Sequence, residues 1–133
     1  MNRYCNWRNV GYLSSTGECF DIGSTVSTAL NSYLESGDPF AGNPDPHAAG
    51  NGALMRLAPV PMLYFADEQE TWRYAGESTR TTHGAQEAIE CSRIFALQLR
   101  AALAGASKES VLSARPLEQL SSKVRALAEG EYL

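Results

Sequence analysis

Cysteine is scarce in this chain of 133 residues, and the three that occur, Cys5, Cys19 and Cys91, are widely spaced. An odd and scattered set argues against a disulfide framework. The lack of any CxxC pair or Cys/His cluster argues against a structural zinc site. The sequence therefore predicts no metal site of its own and favours a reducing compartment, which we interpret as the cytoplasm.

Long apolar runs and an excess of basic residues are also missing. No run approaches the ~20 residues that a membrane-spanning helix needs, and residues 1–10 lack the apolar stretch of a signal peptide. Eleven Lys and Arg against fifteen Asp and Glu give a net charge of −4, which argues against a nucleic-acid-binding patch or a polybasic membrane surface. We expect neither a nucleic-acid nor a membrane partner, and no pattern indicates an oligomeric state.

Strand-like alternation and internal repeats are absent, whereas helical periodicity is frequent, so the sequence predicts an all-α fold of several helices. The length is that of one domain or a part of one. Residues 1–20 are predicted as a loop with at most a helical turn around Trp7. The predicted helices are one from Asp21 or Ser24 to Gly37, a short one over 53–58 stopped by Pro59 and Pro61 with a kinked continuation over 62–65, and others over 68–79, 84–103, 107–112 and 116–128.

The helix predicted over 84–103 has the strongest apolar pattern of the chain. Five apolar side chains at helical spacing form one stripe, with three more widening it. The stripe is Ala88, Cys91, Phe95, Leu99 and Ala102, and the widening residues are Ile89, Ile94 and Leu103.

The main predicted loop covers 37–52 and holds four glycines and three prolines, which excludes a helix interior or a central strand. A linker is one interpretation, but the dense apolar sequence on both sides favours a functional surface loop. The loop ends in Gly50, Asn51 and Gly52 before a predicted helix, where a backbone can approach a ligand and a helix N-terminus can face a phosphate. The alternative is a plain turn, since neither a Walker A lysine nor a preceding strand accompanies it.

Two titratable residues are candidates for chemistry. His83 precedes the long predicted helix, where it can contact a phosphate or a ribose hydroxyl; the alternative is a surface or capping histidine. Asp21 is flanked by apolar residues, which can make a carboxylate a general acid or base; the alternative is an N-cap or first-turn aspartate favoured by the helix dipole.

Three blocks of the sequence together resemble the ADP-ribosylglycohydrolase family. They are GYLSSTGECFDIG at 11–23, AGNGALMRLAPV at 49–60, and TTHG at 81–84 followed by Glu90-Cys91 and AALAG at 101–105. Their order and spacing match the family, and the resemblance covers about residues 4–108. It implies an all-α, metal-dependent hydrolase fold, whose members include enzymes that remove ADP-ribose from modified arginine of target proteins.

The resemblance also implies an activity and roles for single residues. The activity is hydrolysis of the glycosidic bond between ADP-ribose and an acceptor, with an ADP-ribosylated substrate as the partner and two magnesium (or manganese) ions as cofactors. Gly50, Asn51 and Gly52 would line the phosphate and ribose region, and His83 would contact the bound ADP-ribose. Asp21 would lie beside the reacting ribose as the catalytic acid or base.

The chain departs from the family pattern in its metal ligands. Members carry a Thr-Asp-Asp motif upstream and an Asp-x-Asp motif near the C-terminus, whereas no two of the four aspartates here are within three residues of each other. Residues 1–133 are therefore interpreted as a single partial domain, the central part of a longer glycohydrolase, inactive by itself. The alternatives are a non-catalytic ADP-ribose-binding or partner-binding helical module, and a purely structural helical domain.

Overall fold

The computed structural model describes residues 1–114 and 116–131, and these fold as helices joined by loops. No strand occurs within this part of the chain; its one strand-like feature is an isolated parallel bridge between Asn43 and His83. The predicted all-α class is confirmed. The α-helices are α1 (Asn2–Val10), α2 (Ser24–Ser36), α3 (Gly52–Met55), α4 (Pro59–Leu63), α5 (Glu68–Arg80), α6 (Gln86–Leu103), α7 (Lys108–Ser113) and α8 (Ser122–Glu129), with 3₁₀ turns at Pro46–Ala48 and Leu117–Gln119.

The pairing of α5 with α6 is the most extensive helix contact in the fold. Small side chains lie in its buried surface, among them Ala75 on α5 and Ala96 on α6, both fully buried. Leu57, from the segment between α3 and α4, packs onto these two alanines together with Leu54 and Val60. The small side chains let the backbones of α5 and α6 approach closely and pack densely. The short helices α3 and α4 lie against this pair.

The C-terminal helix packs on the other side of α6 through a second apolar cluster. Ile94 of α6 contacts Leu120 and Val124, and Trp72 of α5 packs against the same group. The α6 helix is thus covered from several directions. Its buried residues include Ile94, Ala96 and Leu97, while Phe95 is 39% exposed, so the single stripe predicted for this helix is wrong in part. A helix with neighbours on several sides buries more than one face, and 3.6-residue periodicity then fails to identify a single inner stripe.

Two predicted helix ends are confirmed by their glycines. α2 begins at Ser24 and is closed by Gly37 with a φ of 76°, and α6 is followed by Gly105 with a φ of 77°. Both angles lie in the left-handed region that glycine adopts without the cost of a Cβ. The predicted loop over 37–52 is confirmed apart from the 3₁₀ turn at Pro46–Ala48 and Gly52, which is the first residue of α3.

Three local predictions are wrong. Residues Asn2–Val10 form a helix rather than a loop; Cys5 is its one buried residue, so no apolar period marks it. Pro59 begins α4 instead of stopping a helix, because proline's fixed φ suits the first turn. The last helix begins at Ser122, after the 3₁₀ turn at Leu117–Gln119.

Within residues 1–114 and 116–131, no helix is both long enough and apolar enough to cross a membrane.

Candidate functional site

A cavity of about 670 Å³ opens between four segments of the chain. Its wall comes from α1 with the turn after it, from residues 21–26 at the start of α2, from residues 50–56 around α3, and from the connection between α5 and α6. These segments are far apart in sequence, so the cavity is a product of the tertiary fold. Its volume lies in the range of roughly 300–1,000 Å³ that is typical of small-molecule sites.

All five residues singled out in the sequence line this cavity: Asp21, Gly50, Asn51, Gly52 and His83. The structure therefore brings the turn formed by Gly50, Asn51 and Gly52 (the GNG turn), the histidine and the aspartate to one place. Their roles toward a ligand stay predictions.

The crossing of two backbones fixes where His83 lies. The 37–52 loop passes over the α5–α6 connection, with Gly42 N donating to Arg80 O at 3.0 Å and Gly84 N donating to Asn43 O at 3.1 Å. A Cβ on Gly84 would lie 2.2 Å from Gly42 O, so no side chain fits between the two crossing backbone segments. The two glycines thus hold His83 beneath the end of the loop that carries Asn51.

The imidazole of His83 packs directly against the GNG turn. A Cβ on Gly50 would lie 3.3 Å from His83 Nε2, and one on Gly52 would lie 3.0 Å from its Cε1. The histidine is only 2% exposed. Glycine at both positions leaves just enough room for the ring. Packing of the imidazole therefore favours glycine at 50 and 52, in addition to the geometry of the turn.

A hydrogen-bonded chain lies behind the imidazole. Arg56 Nη2 donates to Thr82 Oγ1 at 2.8 Å, and Thr82 Oγ1 lies 2.8 Å from His83 Nδ1. Arg56 also donates to Ser78 O at 3.0 Å and Thr81 Oγ1 at 3.2 Å. Burial lowers the pKa of His83, and the positive charge of Arg56 lowers it further. The imidazole is therefore neutral at pH 7.

Asp21 lies at the rim of the cavity in an unusual backbone conformation. Its φ is 55°, in the left-handed region that Asp tolerates better than most residues but still at a cost. The N-cap of α2 is Gly23, so the alternative interpretation of Asp21 as an N-cap or first-turn residue is wrong. Asp21 is exposed to solvent.

The donor set does not fit a pair of divalent cations. Among residues 1–114 and 116–131 no group of three or more His, Cys, Asp and Glu side chains converges, whereas hard cations need several oxygens at one point. Within that part of the chain, Asp21 brings one carboxylate to the cavity wall and no second Asp or Glu lines it.

Sequence reasoning missed two parts of this wall. Tyr4, Trp7 and Tyr12 contribute aromatic surface, and they were hidden in the segment predicted as a loop. Arg56 received no role, although it stands four residues after Gly52, a spacing that puts both on one face of a helical turn; its Nη1 reaches Gly52 O at 3.4 Å.

Comparison with known proteins gives a consistent result. A family model described as ADP-ribosylglycohydrolase matches residues 1–132. A protein of Pseudomonas putida (strain GB-1) named ADP-ribosylarginine hydrolase Tri1 is 37% identical over 131 residues, which are 98% of this chain and 35% of that protein. A protein of the same name from Serratia proteamaculans (strain 568) is 33% identical over 126 residues, 95% of this chain and 34% of its own length. The chain thus spans about a third of the length of these relatives.

Proposed function

The chain belongs to the ADP-ribosylglycohydrolase family, and from that premise we propose that its cavity binds the ADP-ribose part of the substrate of a hydrolase. The reaction is cleavage of the glycosidic bond between ADP-ribose and an acceptor. The observation that carries the proposal is the meeting of Asp21, the GNG turn and His83 on one cavity of about 670 Å³. The acceptor we propose is an arginine side chain, because both relatives are named ADP-ribosylarginine hydrolases.

Each side chain at the cavity has a task that its chemistry suits. The backbone of Gly50 and Gly52 can approach the pyrophosphate closely because no side chain intervenes. Asn51 supplies directional hydrogen bonds from its amide. His83, neutral and held against the turn, donates to or accepts from a ligand oxygen. Asp21, beside the reacting ribose, acts as a general acid or base.

The metal ions belong to another part of the active site in this proposal. Family membership suggests dependence on a divalent metal, magnesium or manganese, yet the described residues hold no cluster that fits one. We therefore propose that residues 1–133 form the central part of a larger domain and that the ligands come from its other parts. The chain by itself then binds ADP-ribose without hydrolysing the bond.

Calorimetric titration of the chain with ADP-ribose tests the proposal. We expect saturable binding, weakened in Asn51→Ala by roughly 1–3 kcal/mol, the scale for leaving buried polar groups unpaired. Asn9→Ala is the matched control, since Asn9 is exposed on α1 and does not line the cavity. Absence of binding by the folded chain, or equal binding by the Asn51 and Asn9 variants, contradicts the proposal.

A non-catalytic ADP-ribose-binding module is the second candidate function. It is favoured by the same lack of a convergent carboxylate cluster in the described residues. The two candidates differ in a hydrolysis assay with ADP-ribosylarginine and magnesium, run on the whole polypeptide that the gene encodes. Turnover by that polypeptide supports the hydrolase, whereas ADP-ribose binding without turnover supports the binding module.

A further inference from the structure

The hydroxyl of Thr82 has one hydrogen to donate, and its surroundings decide where that hydrogen goes. Thr82 is fully buried. At its Oγ1 the structure has two partners, Arg56 Nη2 at 2.8 Å and His83 Nδ1 at 2.8 Å. A guanidinium has no acceptor atom, so Oγ1 must accept from Arg56.

The proton of the hydroxyl therefore points to the imidazole. No other acceptor within residues 1–114 and 116–131 bonds to Thr82 Oγ1, so His83 Nδ1 is the one remaining partner. If Nδ1 carried its own proton, the hydroxyl would have two donors facing it and a buried O–H with nowhere to go, a penalised arrangement. Nδ1 is thus the acceptor, and the ring proton of the neutral imidazole is on Nε2.

The protonated nitrogen lies beside the Gly50–Gly52 turn. Nε2 lies toward the turn, 3.3 Å from where a Cβ of Gly50 would be and 3.2 Å from one on Gly52. It makes no hydrogen bond with the described residues, and His83 lines the cavity. A nitrogen with its proton fixed there is a donor only, suited to an oxygen of a phosphate or a ribose.

We propose that Arg56 and Thr82 are positioning residues that hold His83 in the Nε2–H tautomer, so that it donates a hydrogen bond to an oxygen of ADP-ribose beside the Gly50–Gly52 turn. The ligand named here rests on the proposed function. Neither positioning residue needs to touch that oxygen, because Arg56 orients the Thr82 hydroxyl and the hydroxyl orients the ring.

The tautomer can be measured on the free chain by nitrogen NMR with ¹⁵N-labelled histidine. The chain has two histidines, so in His47→Gln every remaining histidine signal comes from His83. At pH 7 we expect an acceptor-type shift for Nδ1 and a protonated-type shift for Nε2. In Thr82→Val and in Arg56→Met the Nδ1–H form should appear, whereas Thr82→Ser, which keeps the hydroxyl, should retain the wild-type spectrum.

Binding of ADP-ribose supplies the functional readout. Thr82→Val should bind about tenfold more weakly than wild type, the effect of one lost hydrogen bond, and Thr82→Ser should stay within about twofold. Thr79→Val is the matched control for the loss of a buried threonine hydroxyl. Thr79 is also fully buried, but its Oγ1 donates to Ala75 O at 2.8 Å and does not touch the imidazole.

Three results overturn the inference. They are a proton on Nδ1 in the free wild-type chain, an unchanged tautomer in Thr82→Val, and equal ADP-ribose affinity of the Thr82→Val and Thr79→Val chains. Failure of the wild-type chain to bind ADP-ribose contradicts the proposed function and removes the ligand named here. The two failures are distinguishable because the tautomer is read without ligand.

Discussion

Glu90 of α6 and Ser121, the residue before α8, hold the two helices together through a buried carboxylate. Glu90 is 3% exposed, and its Oε2 accepts from Ser121 N at 3.0 Å and from Ser121 Oγ at 2.6 Å. The other oxygen accepts from Gln86 Nε2 at 2.8 Å. Burial acts to raise the pKa of Glu90, but the hydrogen bonds and the nearby Arg93 outweigh it, so the pKa lies below its usual value.

This arrangement predicts acid sensitivity. Because the folded-state pKa of Glu90 is depressed, its contribution to stability is present above about pH 4.5, the ordinary value, and is lost as the pH falls through the folded-state pKa. Glu90→Gln should lower the free energy of unfolding at pH 7 by about 2 kcal/mol, the scale of hydrogen bonds to a charged group. It should also flatten the acid limb of the stability profile, measured by urea unfolding from pH 7 to 3.

The matched control for that experiment is Glu87→Gln on the same helix. Glu87 pairs with Lys123 Nζ at 2.8 Å, where the lysine side chain is 76% exposed. An exposed ion pair contributes less than about 1 kcal/mol, so this variant should keep a near-wild-type profile. Equal loss of stability in the two variants would show that burial of Glu90 carries no special weight.

His83 predicts a second pH effect, at higher pH. Burial and then Arg56 lower its pKa in the folded chain, so below pH 6.5 the unfolded chain takes up a proton that the folded chain resists. The free energy of unfolding should therefore fall between pH 7 and 5 in wild type and fall less in His83→Gln. His47→Gln, at an exposed loop position, should retain the wild-type slope; the same slope in both variants and wild type would contradict the prediction.

The backbone crossing predicts that Gly84 cannot be replaced by a larger residue without loss of stability. In Gly84→Ala the new Cβ would meet Gly42 O at 2.2 Å, which is backbone against backbone, so the loop must move. We expect a loss of about 2–3 kcal/mol in unfolding free energy, the upper range for overpacking. Gly23→Ala meets nothing within 4 Å and should cost less than about 1 kcal/mol, the scale of an N-cap change. A Gly84→Ala chain as stable as the Gly23→Ala chain would mean that the loop does not cross there.

The fold was predictable where the signal is local. The helix from Ser24 to the glycine at 37 follows from periodicity and its closing glycine. The helix predicted over 68–79 from its apolar side chains is observed as Glu68–Arg80. The helix Asn2–Val10 was not predictable, since Cys5 is its one buried residue and no repeated apolar stripe marks an inner face. Packing of α6 on several sides likewise decides burial at Phe95, and no single-sequence period contains that information.

Residue spacing gives the site only as a set of residue names, and the expectation that these residues surround one ligand came from the family resemblance. Asp21, the GNG turn and His83 stand out by their neighbours in the sequence and by family resemblance, yet nothing in the spacing says that they share a cavity. The Arg56–Thr82 contact is invisible in the sequence, because 26 residues separate the two. It depends on α3 lying against the end of α5, which is a property of tertiary packing.

Magnesium binding by this chain should be weak. Hard cations need several convergent oxygens, and no such group of side chains exists in residues 1–114 and 116–131. Calorimetric titration with magnesium chloride should show no stoichiometric heat at micromolar protein, with or without ADP-ribose. A tight site for two ions would contradict the proposal that the metal ligands lie in other parts of a larger domain.

Asp21→Asn should separate chemistry from binding. The substitution keeps size and hydrogen-bonding capacity but removes the ability to take up or release a proton, and Asn also tolerates the positive φ of 55° found at this position. In the whole polypeptide that the gene encodes, with magnesium present, turnover of ADP-ribosylarginine should fall by about 10²–10⁴-fold, the usual weight of general acid–base catalysis. Affinity for ADP-ribose, measured by calorimetry, should change little, because the lost interaction acts in the transition state.

Asp45→Asn is the matched control and should retain wild-type turnover. The carboxylate of Asp45 accepts from His47 N at 2.8 Å in the 3₁₀ turn, and Asp45 does not line the cavity. Normal turnover in Asp21→Asn, or an equal loss of affinity and turnover, would remove Asp21 from the chemistry.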